Sequence, residues 1–421
     1  MTAESHPVAP PETDLALDEI RLGSPDTYLR SDVDGIFAKL RRERPVGFDP
    51  EETPAGLPPG PGFWSFVRHG DMFGISRDYE SFTSVPAVGI FDYPVRTSII
   101  NMDPPIHTRY RLIVNRGFTP RMIGRLKENI GAQARRIVED VAEQGEGDLV
   151  TDVAARLPGQ VIATMLGVPD EDQEMVQRHT NAFIAPSDPE YGGTVDDMVA
   201  ASDAIEDYAM HLGRLRREHP ADDVTSAIVN AQVPDDDGNQ TMIEMDEFAE
   251  FVKLLLVGGN ETTRNAITHG VRLFHDHPDQ KDRFLADPQG LAMTTADEIL
   301  RYAPPVNLMR RTATRDIEVA GAPIKAGDKV VMWYRSGNFD DAVFDDPWRF
   351  DVTRTPNDHL TFGAGGPHYC LGANLARVEI GVMLATLYQR LPDLEVVGPP
   401  VHMRAVSTNG IKHLPVRWTP A

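Results

Sequence analysis

The sequence predicts a mainly α-helical protein with small β-sheets, and three observations carry that reading. Helical periodicity dominates residues 126–166. The stretch DEFAEFVKLLLVGGNETTRNAITHGVRLFHD (246–276) is long and apolar nearly all round, the pattern of a buried central helix. Alternating, turn-punctuated segments are short, confined to IEVAGAPIKAGDKVVMWY and to the C-terminal STNGIKHLPVRW, which reads as a hairpin with Ser407 to Ile411 near its tip. No Ser/Gly linker or low-complexity tract divides the chain. Residues 16–421 are therefore expected to form one large α-rich domain with a minor β-rich part, after a Pro-rich polar tail at 1–15.

Composition narrows the function classes. Of 421 residues 41% are hydrophobic and 25% charged, normal for a globular protein with a sizeable core. Lys plus Arg is 41 against Asp plus Glu 64, a net charge of −23 that argues against nonspecific binding to nucleic acid or anionic membranes. There is no run of about 18 apolar residues. The N-terminus lacks the basic and apolar regions of a secretion signal. A single cysteine excludes an internal disulfide framework and suits a reducing compartment. A cytoplasmic location in a bacterial-style protein is expected.

Taken in order, Tyr28 to Arg44 carries a helical pattern, and PAGLPPGPGFWSFV is a Pro/Gly loop entering a short strand at Phe63 to Val67. Residues 82–100 are apolar without clean periodicity, so they pack on the core or line a pocket. Asp103-Pro104-Pro105 reads as a helix start. The helix it opens sets His107 and Arg111 on one face, where they grip a carboxylate or belong to a solvated basic surface. Residues 179–193 read as a loop holding Phe183, followed by a helix to Arg217, and residues 233–241 as an acidic surface loop. In the long central pattern, Gly258 and Gly259 each cost a helix interior about 1 kcal/mol relative to Ala. Leu254, Gly258 and Thr262 lie one turn apart, with Glu261 adjacent. That set is either a notch with an acid–alcohol pair beside it, or a close helix packing site with Thr262 bonded back to its own helix. Glu298 and Arg301 are spaced to pair on a helix, although Thr295 and Glu298 also fit a capping box.

The remaining stretch is FGAGGPHYCLG, Phe362 to Gly372, around the only cysteine. Glycines there allow close approach to a flat ligand. Cys370 sits at a helix N-terminus, since Leu371, Leu375, Val378 and Val382 recur at helical spacing, and that end of a helix favours thiolate. One thiolate in a Gly-rich loop is poorly suited to zinc and well suited to the axial position of a haem iron. A buried structural cysteine in a turn is the alternative.

Phe362, Gly365, His368, Cys370 and Gly372 together resemble the haem-binding signature of the cytochrome P450 superfamily, in a loop one residue longer than usual within GAGGP. GGNETT resembles that family's oxygen-activation motif and Glu298-x-x-Arg301 its ExxR pair, in the family's order and over about residues 20–418. The resemblance implies the cytochrome P450 fold and haem b ligated by Cys370. It implies propionates held by His107, Arg111, Arg311 and His359, with Arg310 competing for the place of Arg311, and protons delivered by Thr262 and Glu261. Arg349 is expected to join Glu298 and Arg301 as a structural set. Candidate substrate contacts are Val88, Ile90, Phe91, Phe183, Leu254, Val257, Gly258, Asn307 and Met309, mostly apolar. The longer cysteine loop, NETTRN and MRRT look similar to bacterial hydroxylases of sterols, terpenoids and methyl-branched lipids. The implied reaction is O2-dependent hydroxylation of an unactivated C–H bond by a monomer. Electrons come from a ferredoxin and its reductase, because one cysteine cannot hold an iron–sulfur cluster, and Arg116, Arg121 and Arg377 are candidate docking residues. Other readings are a tailoring oxidase acting on a polyketide or carrier-bound substrate, a non-oxygenase haem-thiolate enzyme, and a haem- or ligand-binding module without turnover.

Overall fold

A computed structural model describes residues 8–53, 59–92, 98–117, 120–184, 190, 194–234 and 239–421. In chain order the elements are α1 (Val33–Glu43), β1 (Val46–Asp49), β2 (Phe63–Phe66), α2 (His69–Arg77), β3 (Phe82–Thr83), α3 (Ile106–Gly117) and α4 (Pro120–Ala142). Next come β4 (Glu146–Asp148), α5 (Arg156–Leu166), α6 (Asp170–Ile184), α7 (Val195–Glu218), α8 (Val224–Val229), β5 (Val233–Pro234) and β6 (Gln240–Thr241). They are followed by α9 (Met245–Asp276), α10 (Pro278–Ala286), α11 (Pro288–Tyr302), β7 (Met309–Ala313), β8 (Ile317–Val319), β9 (Ala322–Ile324), β10 (Lys329–Met332) and α12 (Tyr334–Gly337). The chain closes with α13 (Ala373–Arg390), β11 (Glu395–Val396), β12 (Val401–His402), β13 (Ile411–His413) and β14 (Pro415–Arg417). The mainly α, small-sheet expectation holds. Local chemistry sets several ends. Thr194 caps α7 through the Asp197 N–H, Asp223 caps α8 through Ser226, and Asp287 caps α11 through Gly290. Gly167 ends α5 in the left-handed conformation, φ 71°.

The residues group into two compact units. The first comprises 1–93, 272–371 and 404–410. Its sheet has five strands in the order β1-β2-β10-β7-β3, with β2 and β10 parallel and the other neighbours antiparallel. One face packs on α1 and the preceding turn: Ile36, Phe37, Phe63, Leu308 and Val331 surround Trp333, which stacks on Tyr28 at 6.0 Å. The other carries Phe66, Met72, Ile75, Val330 and Met332 against α2.

The second unit comprises 94–271, 372–403 and 411–421. It is helical: α13 packs on α4, α4 on α5, and α6 on α7. Its strands form a three-stranded sheet, β11-β14-β4, and a β12–β13 ladder. The C-terminal hairpin is thus β12–β13, with the residues near the expected tip inside its connection, while β14 pairs with β4 and β11. Helix α6 runs into the expected loop as far as Ile184, with Thr180 buried and bonded back to the Val176 carbonyl at 2.8 Å. The expected surface loop at 233–241 carries the β5–β6 pair. His413 on β13 contacts Asp148 through Nδ1 and Glu190, on the α6–α7 connection, through Nε2 at 2.7 Å. Glu379 on α13 is buried, and among the described residues its Oε2 has no partner. Burial pushes its carboxyl up from 4.5 to about 8. Among the described residues no helix is long and apolar enough to cross a membrane.

Candidate active site

In the first unit, the cysteine loop is a left-handed run pressed onto α2. Gly363, Gly365 and Gly366 have φ of 95°, 79° and 82°, a region only glycine occupies readily. A Cβ on Gly366 would stand 2.5 Å from the Ser76 carbonyl oxygen, and the Ser76 hydroxyl donates to the Gly365 carbonyl at 2.9 Å. The GAGGP segment of the loop therefore lies in close approach to α2. The Cys370 N–H donates to the Phe362 carbonyl at 2.9 Å, which closes the loop, and the Phe362 ring is buried. His368 Nε2 lies 3.0 Å from the Ser84 hydroxyl. Cys370 is exposed and outside any disulfide, and Gly372 is the N-cap of α13. An accessible thiol at a helix start, in a loop stripped of side chains, fits the thiolate position of a haem.

Beneath the loop lies a buried ionic scaffold. Arg301 forks onto Glu298 at 2.8 and 2.9 Å and donates to the carbonyls of Asn338, Pro347 and Arg349. The guanidinium that reaches Glu298 from the later loop is that of Arg354, at 3.2 Å. This corrects the expectation for Arg349, whose carbonyl serves instead as an acceptor for both arginines. Arg354 is five residues further on, where the backbone has turned back toward α11, and no local pattern marks it. Arg310 and Arg311 also separate. Arg310 bonds Asp92 at 2.5 Å and the carbonyls of Gly89 and Ile90, and Arg311, also buried, donates to the Arg310 carbonyl at 2.9 Å. His359 is held by Asp297 at 3.0 Å through Nε2 and takes the Thr361 N–H on Nδ1 at 3.3 Å.

The candidate substrate residues of this unit fall into two groups. Val88, Phe91 and Met309 are half-buried. Ile90 lies in the core with Leu308 and Trp333, and Asn307 is fully buried, its amide donating to Val406 at 3.0 Å.

In the second unit, α9 passes unbroken through both glycines. The two have different reasons to be there. A Cβ on Gly259 would meet Ile162 of α5 at 2.7 Å, whereas one on Gly258 would meet nothing within 4 Å. Gly258 is exposed and Leu254, Val257 and Thr262 are half-buried, so this face of the helix is open. The Thr262 hydroxyl donates to the Gly258 carbonyl at 2.6 Å. Glu261 is buried and clamped: it pairs with Arg264 and accepts from the Asn265 amide at 2.8 Å. Asn265 Oδ1 in turn accepts from the Ile411 N–H at 3.3 Å. Sequence reasoning missed Arg264, although its i,i+3 spacing from Glu261 is the signal that could have found it. His107 on α3 is buried and Arg111 half-buried. Phe183 is half-buried, with Lys253 Nζ 5.8 Å from its ring centre. Arg377 is half-buried on α13, and the side chains of Arg116 and Arg121 lie outside the described residues.

Comparison with known proteins agrees with this arrangement. The family described as Cytochrome P450 matches residues 291–396. The methyl-branched lipid omega-hydroxylase of Mycobacterium tuberculosis is 42% identical over 97% of this chain and 96% of its own. The steroid C26-monooxygenase of Mycolicibacterium smegmatis is 40% identical over 91% of this chain and 90% of its own. Among solved structures, a Mycobacterium marinum cytochrome P450 in complex with pseudoionone superposes with a TM-score of 0.88 at 36% identity, covering 97% of this chain and 100% of that one.

Proposed function

The chain belongs to the cytochrome P450 family and is a haem-thiolate monooxygenase, and on that premise we propose that it hydroxylates the far end of a methyl-branched, hydrophobic chain on a lipid, terpenoid or steroid. The observation that carries this is the whole-length likeness to a methyl-branched lipid omega-hydroxylase and to a steroid C26-monooxygenase. Both names put oxygen at a chain terminus. The open, apolar face of α9 at Leu254, Val257 and Gly258 supports such a substrate.

Bound haem, read here as haem b, supplies reductive activation of O2 at a thiolate-ligated iron. The protein's share is binding, orientation and protons. Cys370, just before the start of α13, would provide the thiolate. Arg311, His107 and Arg111 hold the propionates. The contact of Arg310 with Asp92 favours Arg311 for that task, and the contact of His359 with Asp297 makes it the less favoured fourth member. The Thr262 hydroxyl donates its hydrogen bond to the Gly258 carbonyl, which leaves the Oγ1 lone pairs to accept from a proton donor on the open side of the helix. Glu261, paired with Arg264 and accepting from the Asn265 amide, is the carboxyl group through which protons pass toward Thr262. Electrons come from a ferredoxin and its reductase.

A visible-spectrum titration of the holoenzyme with 15-methylhexadecanoic acid, a sterol and a monoterpenoid alcohol tests the substrate. A low-spin to high-spin shift with the branched acid or the sterol, followed by terminal hydroxylation when a ferredoxin and reductase are supplied, is the expected result. A spectrum unmoved by all three would remove the branched-chain assignment.

A further inference from the structure

Residues 88–92 run beside the β7–β10 pair without forming a strand there, yet the carbonyls of Val88, Gly89 and Ile90 are all engaged. The Arg310 N–H donates to the Val88 carbonyl at 2.7 Å. The Arg310 guanidinium reaches the Gly89 and Ile90 carbonyls at 3.4 and 3.3 Å and Asp92 at 2.5 Å. Lys329 Nζ donates to the Ile90 carbonyl at 2.9 Å, lies 2.8 Å from Asp92 Oδ2 and pairs with Glu51 at 2.8 Å. In the antiparallel register Arg310 faces Val331 and Lys329 faces Thr312, so the two cations are diagonal neighbours on one side of the sheet.

Their surroundings say how firm this is. The side chains of Lys329, Arg310 and Glu51 are 3%, 3% and 2% exposed, and that of Asp92 is 50% exposed. Two buried cations are thus neutralised by one buried and one half-exposed carboxylate. Both cations spend donors on backbone oxygens of the segment as well as on the Asp92 carboxylate. Ile90 points into the core as a third anchor, while Val88 and Phe91 stay half-buried.

We infer that Arg310 and Lys329, pinned through Asp92, are positioning residues that hold residues 88–92 as a preformed wall of the substrate site and so set which carbon of the substrate is hydroxylated. This rests on the reading that Val88 and Phe91 face the substrate. Asp92 is the point at which the clasp opens: half-exposed, it is the member whose charge can be removed while Glu51 still pairs with Lys329. A fixed wall saves the ordering cost that a loose loop would have to meet on binding.

The test uses the holoenzyme and the variants Asp92→Asn and Asp92→Glu. Three readouts are compared: amide hydrogen exchange of the 84–92 peptide, affinity for 4-phenylimidazole from its haem difference spectrum, and the ratio of terminal to internal hydroxylation of 15-methylhexadecanoic acid. Asp92→Asn is expected to speed exchange at least tenfold, weaken the azole five- to fiftyfold and lower the terminal ratio. Asp92→Glu, which restores the charge, should recover most of each. Unchanged exchange in Asp92→Asn would overturn the clasp. Faster exchange with unchanged azole affinity and product ratio would overturn its role in the substrate site. If the acid is not turned over, the azole and exchange arms still decide the inference, and the failure belongs to the substrate assignment.

Discussion

A methyl group on Gly366 would need space already taken by the Ser76 carbonyl 2.5 Å away, at a φ of 82° that alanine resists. Gly366→Ala should therefore lower stability by about 1–3 kcal/mol, read as a lower melting temperature. It should also displace the thiolate-type band of the reduced carbon monoxide complex, because the strain falls four residues from Cys370. A normal band and unchanged melting would show that α2 yields easily. Glu261 makes the second point at this scale. Removing its partner with Arg264→Met strands a buried carboxylate at a cost of about 3–5 kcal/mol, and the double variant Glu261→Gln/Arg264→Met should regain much of it in urea unfolding. The sequence displayed Cys370, Thr262 and Glu261 through their motifs. It hid Arg354 and the Lys329–Glu51–Asp92 set, because those partners lie far apart in sequence and no local spacing records them.

Along α9, two adjacent glycines that look alike in sequence part company in the fold. Gly258→Ala meets no atom and gains helix propensity of about 1 kcal/mol, so it should raise the melting temperature while weakening ligands that use the open face. Gly259→Ala drives a methyl to 2.7 Å from the Ile162 Cδ1, which must swing aside, and should therefore gain less than Gly258→Ala. Equal effects from the two substitutions would contradict the one-sided packing of this helix. Elements with a long, strong period were legible to within a residue or two: α9 begins at Met245 against an expected Asp246, and α13 follows Cys370 as the Leu and Val spacing required. Strand partners were not. That β13 joins β12 while β14 joins β4 and β11 depends on those strands meeting in space, and alternation alone carries no such information.

For the molecule as a whole, stability should depend on pH through Glu379. Its buried carboxyl titrates near 8 in the fold against an ordinary value of 4.5, so the native state keeps a proton that the unfolded chain has already released. Its contribution is complete below about 4.5, falls by roughly 1.4 kcal/mol per pH unit through the window up to about 8, and is flat above it. Glu379→Gln should abolish that part of the slope in urea unfolding measured from pH 5 to pH 9. An unchanged slope would mean that the carboxyl finds a partner in solution.

His413 adds an acid–base consequence of a different kind. A neutral imidazole has one N–H to give, yet both ring nitrogens here rest on carboxylates, Asp148 and Glu190. The hydrogen bond to Asp148, then that to Glu190, raises the ring's pKa above its ordinary value, so the second proton, when bound, joins β4, β13 and the α6–α7 connection. That joint is complete below about pH 6.5 and comes apart as the pH climbs through the raised value. The ring then keeps one carboxylate and releases the other, while Lys412 pairs with Glu190 at 2.9 Å. Alkaline solution should thus loosen this corner before it unfolds the protein, an order that proteolysis of the α6–α7 connection against pH would reveal and that His413→Gln would erase.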